Sequence, residues 1–387
     1  MKDRKEESNM KKKKYIAILL TAIMALGVLT GCGSKTEETN SQSTEQTSET
    51  EATESEETQT EEDKTAQETE TGETKELTKL NYALTYETNE VSGILKLAQE
   101  QGYLEEELKA VGYELNILGF AQAGPAINEA IASGEVDIAN YGNLPATVAK
   151  SNGVGVSIIG ISDNQSNLSV LVKSDSGIES VKDLEGKIVN VGKGTILEQY
   201  WDRLVEEYGI DVSKIQIVND MASGSATLLS GNVDAWINAS QYEYLLAKQE
   251  PVKSVESTVT SHPEWAGETI FAVRDDFKKE HPEVVTAFLT AYIRGYNYAL
   301  EHEDEAYQSL VSDVLDVETA KLLYGNVDPL FSNFSAEITD SEVERYKELN
   351  DFLVEKGLVG NSVAPEDILD KSFYEEAKKN ADAKVAK

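Results

Sequence analysis

The chain has a single cysteine and only three histidines among its 387 residues. One cysteine cannot form an intramolecular disulfide, and so few thiol and imidazole groups disfavour a metal site or a cysteine nucleophile. Basic residues are also scarce, with 35 Lys and Arg against 70 Asp and Glu. Nucleic-acid binding requires a basic face, so the net charge of −35 argues against it. We expect no metal, no cofactor and no nucleic-acid partner.

The first 31 residues have the pattern of a secretory signal peptide. Four lysines at 11–14 precede an apolar run of about fifteen residues, which is short for a membrane span. The run ends in Leu-Thr-Gly-Cys at 29–32, which resembles the lipobox of bacterial lipoproteins. The resemblance implies cleavage before Cys32 and attachment of acyl chains such as palmitate, which would anchor the protein at the extracytoplasmic face of the cell membrane. The alternatives are an uncleaved membrane anchor and a chance cysteine.

The residues after Cys32 are unsuited to a folded core. Residues 35–77 are rich in Thr, Glu, Ser and Gln and have almost no large apolar side chains. Such a composition cannot bury enough apolar surface to fold. We therefore predict that residues 32–77 comprise the lipidated cysteine and a disordered acidic linker.

A short unit occurs twice in the remaining sequence, at residues 131–149 and 228–236. In both copies an apolar helix end is followed by Ser-Gly, one further residue, and Val-Asp at the start of a strand. The glycine suits a helix C-terminus. The aspartate is better explained by a structural hydrogen bond than by acid–base chemistry. Two copies of the unit predict two similar α/β lobes.

Strands alternate with helices between Leu80 and Leu300, which favours a mainly parallel sheet in each lobe. The polar residues 162–167 are interpreted as the first crossover between the lobes, and the apolar strand 269–273 as part of the return. Ligands of open α/β sheets bind at the loops that follow the strands, so we predict a ligand cleft between the lobes. The predicted segments are a first lobe at 78–163, a second lobe at 164–266, and a return to the first lobe with C-terminal helices at 267–387.

Four stretches resemble the substrate-binding proteins of ABC importers for nitrate, aliphatic sulfonates and taurine, a family that also contains binders of thiamine-precursor pyrimidines. They are AQEQGY at 98–103, AIASGEVDI at 130–138, SVKDLEGKIV at 180–189 and LSGNVDAW at 229–236. The resemblance implies an α/β, type II periplasmic-binding-protein-like fold. It also implies a monomer that captures a small solute between its lobes and presents it to a membrane permease.

The family's loop positions place the ligand contacts on both sides of the cleft. The first-lobe candidates are Tyr86, Gln122, Ala123, Tyr141, Gly142 and Asn143. The second-lobe candidates are Gly194, Thr195, Ser223 and Trp236. Helix N-termini at these loops have free N–H groups that suit a sulfonate, nitrate or carboxylate. Thr195 is equally well explained as a helix cap, and Trp236 fits the core as well as the cleft.

The charge of the ligand stays open. No arginine lies in the predicted cleft loops, and a carboxylate such as Glu198 or Glu90 near the ligand would oppose an anion. A solute of the sulfonate, taurine or nitrate type is therefore one hypothesis. The other is a neutral or cationic heteroaromatic compound, such as a thiamine-precursor pyrimidine or a flavin, held between Tyr and Trp side chains.

An enzymatic function is disfavoured. The pyrimidine-synthesis enzymes that resemble this fold in some eukaryotes need a cysteine-rich motif and a histidine. Here the only cysteine lies in the lipobox, and the histidines are scattered late in the chain, at His262, His281 and His302. We expect a binding protein with no catalytic residues. A sensory or adhesive surface lipoprotein without a permease is a further alternative.

Overall fold

The computed structural model describes residues 76–86 and 88–385. The predicted signal peptide, Cys32 and nearly all of the predicted linker lie outside the described residues. Within the described part of the chain, no helix combines the length and the apolar character that a membrane crossing requires.

The described strands lie in two five-stranded sheets, one in each lobe. In chain order they are β1 (Thr78–Leu84), β2 (Tyr113–Gly119), β3 (Ile138–Gly142), β4 (Val156–Ser166), β5 (Leu168–Lys173), β6 (Ile188–Asn190), β7 (Gln216–Val218), β8 (Ala235–Ala239), β9 (Val252–Ser257) and β10 (Gly267–Arg274). The first sheet has the order β2-β1-β3-β10-β4, and the second has the order β7-β6-β8-β5-β9. The chain thus crosses to the second lobe between β4 and β5 and returns between β9 and β10.

Helices cover both sheets. They are α1 (Gly93–Glu100), α2 (Tyr103–Ala110), α3 (Ala123–Ser133), α4 (Asn143–Ser151), α5 (Ile196–Tyr208), α6 (Gly224–Ser230), α7 (Gln241–Ala247), α8 (Asp275–Glu280), α9 (Pro282–Glu301), α10 (Glu303–Ser309), α11 (Val317–Tyr324), α12 (Asp340–Glu355), α13 (Pro365–Ile368) and α14 (Ser372–Val385). α3 and α6 end at Gly134 and Gly231, with φ of 80° and 78°. Glycine adopts this left-handed conformation without a Cβ clash, so both predicted helix ends are confirmed.

Each sheet contains as many antiparallel as parallel strand pairs. β1 is parallel to β2 and β3, and β6 is parallel to β7 and β8. β10 is antiparallel to β3 and β4, and β5 is antiparallel to β8 and β9. The prediction of mainly parallel sheets is therefore wrong. The physical reason is that β5 and β10, the first strands after the two crossovers, run antiparallel to both of their neighbours.

The repeated aspartates join equivalent strands in the two lobes. Asp137 Oδ2 accepts a hydrogen bond of 2.9 Å from Asn81 N, and Asp234 Oδ2 accepts one of 2.9 Å from Ile188 N. Arg274 Nη2 also donates to Asp137 Oδ1 at 2.8 Å. Such bonds satisfy backbone N–H groups at the ends of the strand ladders. The structural interpretation of both aspartates is confirmed.

The polar stretch predicted as the first crossover continues β4 as far as Ser166. Its residues pair with β10, and Ser162 Oγ lies 2.9 Å from Thr269 Oγ1. The pairing gives these polar side chains partners inside the sheet. The step between the lobes is consequently very short and lies at Asn167.

Candidate functional site between the lobes

The first turn of α5, from the second lobe, packs directly on the first lobe. A Cβ placed on Gly142 would lie 3.0 Å from Ile196 Cγ2, and a Cβ on Gly267 would lie 2.6 Å from Ile196 Cδ1. A Cβ on Gly194 would lie 3.2 Å from Pro125 Cγ. Glycine permits this close approach because it has no side chain. The two lobes are therefore in contact at the predicted cleft loops.

A cavity of about 270 Å³ lies next to this contact and is bounded by both lobes. Its volume is near the lower end of the range for small-molecule sites. The polar residues that line it are Asn143 and Glu268 from the first lobe, Gln199 and Arg203 from α5, Glu264 from the segment before β10, and Arg345 and Glu348 from α12. A small charged solute would thus meet groups of both signs.

Arg203 is the cationic group of α5 that lines the cavity. Its side chain is half-buried, and burial lowers the pKa of Arg203, with the nearby Arg345 lowering it further. Glu348 and Glu264 raise the pKa of Arg203, although neither forms a hydrogen bond or an ion pair with it among the described residues. A guanidinium group without a protein partner is a suitable binding group for a sulfonate or carboxylate, because it can donate two parallel hydrogen bonds.

Arg345 connects α12 to both crossover regions. Its Nη1 donates to the carbonyl oxygen of Asn164 at 2.7 Å, and its Nη2 donates to the carbonyl oxygen of Ala266 at 2.9 Å. Asn164 lies near the end of β4, and Ala266 directly precedes β10. The positive charge of Arg345 therefore lies at the wall of the cavity while its donors fix the two segments between the lobes.

Glu268 is a buried carboxyl group at the start of β10, only 3% exposed. Asn143 Nδ2 donates to Glu268 Oε2 at 2.8 Å. Burial raises the pKa of Glu268 to about 7, while the charge of Arg345 and the bond from Asn143 act in the opposite direction. This carboxyl group thus keeps its proton to a higher pH than an exposed glutamate does.

The raised pKa predicts that Glu268 makes stability depend on pH. The folded state holds a proton that the unfolded state releases between pH 4.5 and about 7, so stability is lost as pH rises through this window. We expect Glu268→Gln to gain up to about 3 kcal/mol of unfolding free energy over wild type between pH 4.5 and pH 8. Denaturant unfolding of both full chains at several pH values measures the difference.

The matched control for this prediction is Glu344→Gln, which removes an exposed carboxylate from α12. Its stability difference from wild type should stay nearly constant with pH. A Glu268→Gln difference that is equally constant would contradict the assignment of a raised pKa to Glu268.

The family model described as NMT1/THI5 like matches residues 89–306. The chain belongs to the NMT1/THI5-like family. A Bacillus subtilis protein named for binding aliphatic sulfonates is 30% identical over 292 residues, which cover 73% of this chain and 84% of the relative. The taurine-binding periplasmic protein of Escherichia coli is 27% identical over 248 residues, covering 61% of this chain and 76% of the relative. More distant relatives from fungi are named as synthases of a pyrimidine phosphate.

Solved structures agree with this membership of the NMT1/THI5-like family. The structure of a Methylobacillus flagellatus protein, named as the periplasmic sulfonate-binding component of an ABC transporter, superimposes with a TM-score of 0.63. The two proteins are 25% identical, and the match covers 80% of this chain and 96% of the other. The predicted type II periplasmic-binding-protein-like fold, with two α/β lobes, is confirmed.

In this member of the NMT1/THI5-like family, Tyr86 and Trp236 lie near an aromatic residue of α7. Tyr86 is 46% exposed, whereas Trp236 is 7% exposed and packs edge-on against Tyr242 with ring centroids 5.0 Å apart. Burial raises the pKa of Tyr242, and the Tyr86 phenol raises it further, which places Tyr86 close to the second lobe. Trp236 and Tyr242 thus form an aromatic pair in the core of the second lobe, while Tyr86 belongs to the first lobe. The ambiguity over Trp236 is resolved in favour of the core.

Tyr141 has no exposed surface and belongs to the core of the first lobe. Its hydroxyl group donates to Asn128 Oδ1 at 3.1 Å. The adjacent Gly142 is part of the contact with Ile196, and Asn143 lines the cavity. Helices cover both faces of the first sheet, so the side chain of Tyr141 is enclosed, while Gly142 and Asn143 after it face the other lobe.

The predicted residues at the start of α3 lie at a helix end without a side-chain cap. Ala123 is buried and has φ of 53°, an uncommon value for a residue with a Cβ. Gln122 before it is exposed. Ser223, at the start of α6, is also exposed and makes no side-chain cap. Strained backbone of this kind is concentrated at ligand sites, which keeps Ala123 as a candidate.

The start of α5 is capped by the chain itself. Thr195 Oγ1 accepts from Leu197 N at 3.1 Å and donates to the carbonyl oxygen of Gly192 at 2.6 Å. Gly194 N donates to Glu198 Oε2 at 2.7 Å. The interpretation of Thr195 as a helix cap is confirmed. These N–H groups already have partners, and the Glu198 carboxylate opposes an anion at this helix end.

Of the predicted site residues, Asn143 alone lines the cavity in the described part of the chain. Arg203, Glu268 and Arg345 were not predicted. Arg203 had one usable signal, because residues 196, 199 and 203 share a face of the predicted helix. Glu268 and Arg345 had no such signal in the sequence. The fold brings Glu268 to the cavity after the second crossover, and it brings Arg345 there by the packing of α12.

Proposed function

We propose that the protein is an extracytoplasmic solute-binding lipoprotein of an ABC importer, capturing a small molecule of the sulfonate, taurine or nitrate type. The observation that carries the proposal is the partner-free guanidinium of Arg203 in a cavity bounded by both lobes. Binding there requires contacts from each lobe, so the solute stabilises the closed arrangement. The names of the bacterial relatives support the same class of solute.

The proposal extends to the location and partners of the protein. Cys32 would carry the lipid anchor, and the cleft loops would close over the solute for delivery to a membrane permease. The candidate contacts are Asn143, which lines the cavity, and the predicted cleft-loop residues Tyr86, Gln122, Ala123, Gly142, Gly194, Thr195 and Ser223. The loops bearing them approach each other across the lobe boundary at Gly142 and Gly194.

Binding is favoured over catalysis by the position of the histidines. His262 is stacked on Trp265, with ring centroids 3.7 Å apart, and His302 is stacked on Tyr298. His281 lies beside Tyr113 and Phe277. None of the three lines the cavity in the described part of the protein. The site therefore offers binding groups and no histidine base.

The second candidate function is binding of a neutral or cationic heteroaromatic solute. It is favoured by the exposed aromatic ring of Tyr86 in a predicted cleft loop, which is suited to stacking. The Glu198 carboxylate at the start of α5 also disfavours an anion at that helix end. A thiamine-precursor pyrimidine or a flavin has the required flat, apolar faces.

A thermal-shift screen of the full chain in detergent distinguishes the two functions. A ligand at a hundred times its Kd adds about 2.7 kcal/mol to the unfolding free energy, which gives a clear shift. We expect taurine, ethanesulfonate or nitrate to raise the melting temperature, with glucose as a solute that should not. Stabilisation by aminopyrimidines or flavin alone would reject the sulfonate class. No shift with any of these solutes would reject the binding function.

A further inference from the structure

Two buried acceptor oxygens at the cavity have no hydrogen-bond partner among the described residues. They are Asn143 Oδ1 and Glu268 Oε1. Asn143 is 6% exposed and Glu268 is 3% exposed, so bulk water does not supply the missing hydrogen bonds to these two oxygens. The bond of 2.8 Å between Asn143 Nδ2 and Glu268 Oε2 uses the other polar atom of each side chain and holds the two groups together. Unpaired buried acceptors of this kind require an explanation.

The chemistry of the two oxygens indicates which ligand group would satisfy them. When Glu268 is ionised both oxygens are acceptors, so the partner of this ionised pair must be a donor. A protonated amine has several N–H donors and a positive charge that suits a buried carboxylate. Arg203, which lines the same cavity from α5, is left to receive a negative group at the other end of the solute.

We propose that Asn143 and Glu268 form a subsite for a protonated amine, so that the cavity selects a small zwitterion whose other end is a sulfonate or carboxylate. This inference rests on the proposed function, because it assigns the solute to the same cavity. Under this proposal Glu268 and Asn143 are specificity-determining residues, because they favour binding of solutes with an amine over binding of simple anions.

The surroundings of Glu268 make this selection dependent on pH. Burial raises its pKa to about 7, Arg345 from α12 lowers it, and Glu342 from α12 and Asp163 from β4 raise it. Arg203, Glu264 and Glu348 are the other charged groups that line the cavity. An amine must displace the proton of Glu268, so its affinity falls as pH decreases below 7. An anion without an amine has no such requirement.

Calorimetric titration of the full chain in detergent with taurine and with ethanesulfonate tests the proposal. The two solutes share a sulfonate and differ by the amine. We expect the affinity for taurine to rise roughly 20-fold between pH 5.5 and pH 7.5, with release of a proton on binding at the lower pH. The affinity for ethanesulfonate should not rise with pH.

Glu268→Gln keeps the volume of the side chain and removes its charge. It should weaken taurine binding at pH 7.5 by tenfold or more and abolish the pH dependence, while ethanesulfonate still binds. Asn143→Ala gives a second test, with the same preferential loss of taurine, if the first variant melts early. Glu344→Gln, on the exposed face of α12, is the control and should bind both solutes like wild type.

The outcomes separate this subsite from the function on which it rests. If ethanesulfonate binds and taurine binds no tighter, with the same pH profile in wild type and Glu268→Gln, the amine subsite is refuted and the sulfonate function stands. If neither sulfonate binds, the proposed function fails and the subsite fails with it.

Discussion

Replacing Cys32 with alanine is expected to abolish acylation and to move the protein, once its signal peptide is cleaved, from the membrane fraction to the soluble fraction. Each acyl CH₂ buried in a bilayer contributes about 0.8 kcal/mol, and stable anchoring needs two or more chains. The alanine variant has no thiol to acylate. The strongly acidic chain, with a net charge of −35, offers little electrostatic attraction to anionic lipid in compensation. Fractionation of a bacterial host, with metabolic labelling by a palmitate analogue, measures both anchoring and acylation.

Ser34→Ala is the matched control, since it changes a nearby small residue and leaves Cys32 in place. It should label and sediment with membranes like wild type. A Cys32→Ala protein that remains in the membrane fraction after signal cleavage would contradict the lipid anchor.

Replacing Arg203 with methionine is expected to weaken sulfonate binding by roughly 30-fold or more, because a partly desolvated charge partner is lost. Methionine retains much of the apolar length of the side chain, so the packing of α5 should persist. Arg203→Lys should recover only part of the affinity, since an ammonium group cannot make the two parallel bonds of a guanidinium. Calorimetric titration with taurine or ethanesulfonate gives the affinities.

The control for Arg203 is Lys214→Met, which removes one positive charge from the exposed surface of the second lobe. Lys214→Met changes the net charge of the protein by the same amount as Arg203→Met and leaves every residue that lines the cavity in place. Equal affinities of Arg203→Met and Lys214→Met would show that Arg203 does not contact the anion. Because Arg203 has no protein partner in the described residues, the variant should melt close to wild type.

The repeated unit was the most predictive part of the sequence. Gly134 and Gly231 end their helices as expected, because the left-handed conformation at a helix C-terminus leaves a local signal in the sequence. The paired aspartates were also recognisable from spacing. In contrast, α2, β9 and α7 were not predicted, since segments of only six to eight residues give a weak periodic signal.

The cavity was much less predictable than the fold. Asn143 could be found because it follows a strand at a loop position shared with the family. Tyr141, two residues before it, is enclosed in the core, because both faces of the first sheet are covered. Arg345 reaches the cavity only through the packing of α12, and Glu268 only through the crossover before β10. Such long-range placement leaves no spacing pattern in the sequence.

The two carbonyl contacts of Arg345 give the C-terminal region a mechanical role. One guanidinium holds both segments that join the lobes, so a rotation that strains one segment is transmitted to the other. Helix α12 thereby ties together the two connections between the lobes, although it lies far along the chain from the first crossover. We expect changes in this helix away from Arg345 and Glu348 to alter how far the lobes separate without altering a residue that lines the cavity.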